Sequence, residues 1–155
     1  MSELPKEMNN EEYQKMIEKL NQELKNNPNL GPMDEAWQFF HQSKVNVKNL
    51  IFLEAWKQGI NKVGTEFFDI KADTVDAATD KLQLQPNFKF IKEAIGGYSH
   101  GKQVLLGLMY SFYNPEDGQK FLEQSNTANF VDALNVLDDE GRKIISQLWM
   151  NHSGW

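Results

Sequence analysis

The chain contains no cysteine among its 155 residues. That absence excludes disulfides, zinc–thiolate sites, iron–sulfur clusters and cysteine nucleophiles. Arginine is almost as scarce, because Arg142 stands alone among 16 basic side chains. Bidentate recognition of phosphate, carboxylate and guanine usually relies on arginine, so nucleic-acid partners are disfavoured. A formal net charge of −6 acts in the same direction, repelling phosphate backbones and anionic lipid alike.

Long apolar runs are also missing. The longest, VLLGLMYSFY at residues 104–113, spans ten residues, half of the roughly 20 that a membrane helix requires. The opening MSELPKEMNNEEYQK has no apolar core or cleavage pattern of a secretory leader. The expectation is a soluble cytoplasmic protein with no membrane partner.

Catalytic and metal signatures are equally thin. The three histidines, His41, His100 and His152, share no i,i+3 or i,i+4 spacing, and no HExxH occurs. No serine lies in a GxSxG elbow. Asp73, Asp76 and Asp80 fall on one side of a helical projection but lack the glycine and alternating oxygens of a calcium loop. They read better as a cap and a solvated face. Glu54 and Glu93 lie within otherwise apolar segments, the setting in which a carboxylate becomes a proton-transfer candidate. No metal and no cofactor is indicated, and catalysis has no local support.

GGYSHGKQ, residues 96–103, matches a phosphate-binding P-loop up to Lys102. A P-loop needs a Ser or Thr next to hold magnesium, and a strand before it. This chain has Gln103 there and a helical pattern before Gly96. A helix N-terminus still attracts anions, which makes Ser99, His100 and Lys102 a candidate anion-binding set.

What the sequence does contain is helical periodicity and aromatic rings. Residues 10–26 carry Tyr13, Met16, Ile17, Leu20 and Leu24 as a narrow apolar stripe, closed by NNPNLGP. We read residues 1–30 as an amphipathic arm and 31–155 as a helical core domain. Within the core, one helix is expected from Asp34, and another from Val47 to Val63 stopped by Gly64. A helix from Asp73 to Leu84 is expected next, then one opened by Pro86 with Phe88, Ile91 and Ile95 inward. TEFFDI stays open between a short helix and an extended piece. Ser99 caps a helix over residues 100–113 that is apolar nearly all round, so it belongs at the centre. Gly101 would allow close packing at its start. Asn114-Pro115 opens a further helix, Phe130, Leu134 and Leu137 mark another, and Asp138 caps the last, where Ile144, Ile145, Leu148 and Trp149 face inward. No segment alternates with period two for long. LQLQPNFKF comes nearest, and Pro86 interrupts it. The fold class expected is all-α, a single bundle of about seven or eight helices around the central apolar one.

There are four Trp, four Tyr and ten Phe. Phe67 and Phe68 are of doubtful burial, as are Trp37, Phe40 and Trp155, which are the candidate partner-binding residues, because interface centres favour such rings. The function expected is a non-catalytic protein-binding module of adaptor, inhibitor, immunity or chaperone type. Its partner is a basic or amphipathic protein, or a second copy. The alternative is a small-molecule or anion-binding helical protein, with catalysis left open, whose site lies near His100 and Lys102 with Glu93 at its mouth.

Overall fold

A computed structural model describes residues 33–127 and 129–155, with side chains described from Asn46 onward. The stripe of residues 10–26 therefore lies outside the described residues, as do the side chains of Trp37, Phe40 and His41. The chain divides into two compact units, residues 1–44 and 45–155, and the packing below is that of the second.

The described residues are mostly helical, with one small sheet. Helix α1 runs Met33–Val63 without a break. The sequence reading divided it in two, but no proline interrupts this stretch, and Asp34 lies inside the helix rather than capping it. From Asn46 onward its buried positions recur at helical spacing: Phe52, Leu53, Trp56, Ile60 and Val63. Gly64 ends it at φ 125°, a backbone region that favours glycine.

A 3-10 turn at Thr65–Phe67 leads into strand β1, Phe68–Ile70, and the chain returns through a second 3-10 turn, Lys81–Gln83, to strand β2, Leu84–Pro86. The strands pair antiparallel, Phe68 opposite Pro86, Asp69 opposite Gln85 and Ile70 opposite Leu84. This sheet corrects the all-α expectation and displaces the helix expected over residues 73–84. The cause is local. Thr74 Oγ1 accepts from Ala77 N, and Asp80 forms the capping box, accepting from Leu82 N at 2.7 Å while Gln83 reaches back. Thr and Asp side chains bonding nearby backbone compete with a helix. The capping pair is thus Asp80 with Gln83, not Asp73 with Asp76. Pro86 closes a two-stranded edge, where its missing N–H costs nothing. Asn87 caps the next helix instead, its Oδ1 accepting from Phe90 N at 3.0 Å.

Helix α2, Phe88–Ala94, continues as a 3-10 turn to Gly97. Ile91 and Ile95 are buried, while Phe88 stays largely exposed. Phe67 and Phe68 are both buried, correcting the doubt about them. Helix α3, His100–Tyr113, is buried continuously from Val104 to Tyr110. Helices α4, Pro115–Gln124, α5, Phe130–Val136, and α6, Asp139–Asn151, all pack on it. Asn114 and Asp138 cap α4 and α6 as their sequences imply, accepting from Asp117 N at 3.1 Å and Gly141 N at 2.7 Å. The described residues hold six α-helices, and the helix expected over residues 10–26 lies outside them. None of them is long and apolar enough to cross a membrane.

Candidate functional site

The segment before α3 is held by bonds within the protein. Tyr98 donates its hydroxyl to Glu66 Oε1 at 3.0 Å, and Gln103 Nε2 donates to the Tyr98 carbonyl at 2.7 Å. That bond to Glu66 raises the Tyr98 phenol above its ordinary value of 10.0. Ser99 occupies the N-cap position, but its hydroxyl makes no capping bond. His100 sets Nε2 2.9 Å from the Ser125 carbonyl at the end of α4, and the Lys102 ammonium lies 5.7 Å over the Tyr98 ring. Helix α2 and its 3-10 extension precede the loop, in place of the strand a P-loop requires. His100 and Lys102 are each turned to a different neighbour, and Glu93 is exposed on α2 rather than part-buried. Glu54 is paired with Lys57 at 3.0 Å. Among the described residues, no group of three or more acidic or histidine side chains could hold a metal.

Trp155 is half-buried, its ring centroid 4.8 Å from Trp56 and 5.0 Å from Tyr113. The segment bearing it is tied down at several points. Ser153 donates to Asn49 Oδ1 at 2.7 Å, and His152 Nε2 lies 3.2 Å from the Phe112 carbonyl. Lys81 donates to the Gly154 carbonyl.

Among the described residues, exposed aromatic rings lie on α2, at Phe88 and Phe90, and on the hairpin of α5 and α6. Phe130 begins α5 and Trp149 stands near the end of α6, yet their rings meet edge-to-face at 5.1 Å. Arg142 Nε donates to the Leu134 carbonyl at 3.0 Å. A Cβ placed on Gly141 would come within 3.3 Å of Leu137 Cβ. The ring contact pairs the start of α5 with the end of α6, and the Arg142 bond pairs the end of α5 with the start of α6, so the two helices run antiparallel. At the Phe130 end, 37% of that residue, 63% of Val131, 64% of Trp149 and 62% of Met150 is exposed. At the other end, Asp138 and Glu140 grip Lys62 at 2.8 and 2.6 Å, and Asp139 is exposed beside them. Those bonds hold the Asp138 carboxyl below its ordinary 3.8 and the Lys62 amine above 10.5. Along α6 the two ends are ~14 Å apart at 1.5 Å per residue.

This ridge corrects one sequence expectation, since Trp149 read as inward. A signal was available. Leu148, Trp149 and Met150 are consecutive, and three successive helical positions span ~200°, more than one packed face covers. Leu148 takes the interior and the next two are left outside. Phe130 with Val131 repeats the pattern. In comparisons with known proteins, no family model, no curated protein and no solved structure matches this chain.

Proposed function

We propose that the chain is a non-catalytic protein-binding module that takes a basic amphipathic segment of another protein along the α5–α6 hairpin. The scaffold is read as a helical bundle organised on α3, which presents the hairpin on its surface. The observation that carries the proposal is the exposed Phe130–Trp149 pair. Large rings left in water, side by side with Val131 and Met150, form a contiguous apolar area of the kind that anchors protein contacts.

Charge selects the partner. The hairpin, residues 130–151, holds four acidic side chains against Arg142 and Lys143, and Lys62 already binds Asp138 and Glu140, so Asp132 and Asp139 are the carboxylates left to meet a partner. Asp132 lies one residue beyond Val131, and Asp138, Asp139 and Glu140 close the hairpin. The basic side chains on α6 are Arg142 and Lys143, and Arg142 is turned onto the Leu134 carbonyl. A helix with apolar side chains at one end and lysines two to three turns away matches the two ends of the hairpin.

The test is a titration of the full chain with a labelled helical peptide bearing leucines at one end and lysines two to three turns further along the same face, read by fluorescence anisotropy. Its charge-reversed glutamate counterpart serves as the control. Binding of the lysine peptide, weakened about tenfold or more by Trp149→Ser, is the result expected. Equal binding of both peptides, or indifference to Trp149→Ser, overturns the proposal.

A further inference from the structure

Between α1 and the loop leading into β2 lies a cleft of about 300 Å³, a volume at the lower end of those that hold small molecules. Leu50, Phe52 and Leu53 give it an apolar wall, and Asn49, Asp80 and Lys81 stand among its polar lining. Leu50 is more than half exposed there, although it belongs to the same helix as the fully packed Trp56.

The two charges on the rim are fixed. Asp80 points one carboxylate oxygen at Leu82 N at 2.7 Å, and its capping box with Gln83 holds the turn. Lys81 donates to the Gly154 carbonyl and rests 5.3 Å over the Phe52 ring and 5.1 Å over the Trp155 ring. Neither residue forms an ion pair among the described residues. Asn49 uses its Oδ1 to accept from Ser153, which leaves its amide N–H groups to donate. Adjacent charges of opposite sign, each held by other contacts and too far apart to close a salt bridge, meet one kind of small ligand well. A simple carboxylic acid would satisfy Lys81 and be repelled by Asp80. A simple amine would meet the reverse. A zwitterion satisfies both, and the leucine-lined wall takes an aliphatic body.

We propose that this cleft binds a free α-amino acid with an aliphatic side chain. Lys81 and the Asn49 amide receive its carboxylate, Asp80 receives its ammonium, and Leu50 and Leu53 pack on the side chain. The site is remote in sequence from the α5–α6 hairpin, and its test is independent of the peptide titration.

The experiment is an NMR titration of the full chain with L-leucine, N-acetyl-L-leucine and L-leucinamide. Leucine should shift the Asn49 and Leu50 signals at millimolar concentration, and each blocked form should bind about tenfold more weakly, the loss of one charge-assisted bond. Asp80→Asn keeps an acceptor for Leu82 N and so keeps the turn. It should bind N-acetyl-leucine as well as it binds leucine. Lys81→Met, with its fold checked by thermal melting, should do the same for leucinamide. No response to leucine, or equal affinity for all three compounds in the unmodified chain, overturns the proposal.

Discussion

Trp56 donates its indole N–H to the carbonyl of Leu84 at 3.0 Å, joining residues 28 apart. Both are wholly buried. The carbonyl belongs to β2, a strand too short to be stable alone, and the bond fastens it to α1. Trp56→Phe removes the donor, leaves the Leu84 carbonyl unsatisfied and opens a cavity. It should cost about 2–4 kcal/mol in urea unfolding. A loss below half a kilocalorie would show that the sheet is held by other contacts.

That bond also explains what the sequence conceals. A three-residue strand offers no alternation to detect, and the partner that stabilises β2 lies on α1, beyond any local window. The caps at Asn114 and Asp138 were legible because a cap acts within three residues, and α3 was legible because its burial repeats along one helix. Trp149 was misread for a different reason. Periodicity gives the face a residue occupies, not how far the neighbouring helix extends to cover it.

Glycine behaves oppositely at two positions that read alike in sequence. A Cβ on Gly118 would lie 2.6 Å from the Cα of Ser111, so α4 touches α3 backbone to backbone there. Gly118→Ala should destabilise by about 1–3 kcal/mol. Gly101, expected to be a close-packing residue, has nothing within 4 Å of such a Cβ. Gly101→Ala should instead stabilise by about 0.5–1 kcal/mol, because alanine favours the helix. Thermal melts of the two variants should move in opposite directions.

The Lys62–Asp138–Glu140 cluster links stability to pH. Asp138 is held below 3.8 in the folded state, first by its bond from Lys62 and then by Gly141 N–H. A depressed carboxyl contributes stability that is present above its unfolded value and lost as pH falls through the folded one. Lys62 is raised above 10.5 by its bonds to Asp138 and Glu140. Its contribution is present below 10.5 and lost as pH rises through the folded value. Lys62→Met should therefore flatten both flanks of the urea midpoint plotted against pH, below pH 3.8 and above pH 10.5. An unchanged acid flank would show that Asp138 is held down by Gly141 alone.

The hairpin face separates two kinds of contribution that kinetics can resolve. On the proposed binding, Trp149 and Phe130 would act by contact, and contact shows in how slowly a bound peptide leaves. Asp132 and Asp139 act at a distance, and exposed charges are screened over ~10 Å at 0.1 M salt. Trp149→Ser should raise the dissociation rate of the lysine-bearing peptide several-fold and leave its salt dependence intact. The double variant Asp132→Asn, Asp139→Asn should slow association and flatten its fall with added salt, while dissociation changes little. The double variant gives up two first-turn carboxylates and weakens the Asn129–Asp132 bond, and Trp149→Ser gives up the ring contact with Phe130, so each should lose about 0.5–2 kcal/mol in urea unfolding and still be folded in the binding assay. If the acidic pair instead governed dissociation, the charges would be in direct contact with the peptide, and the apolar end would not be its anchor.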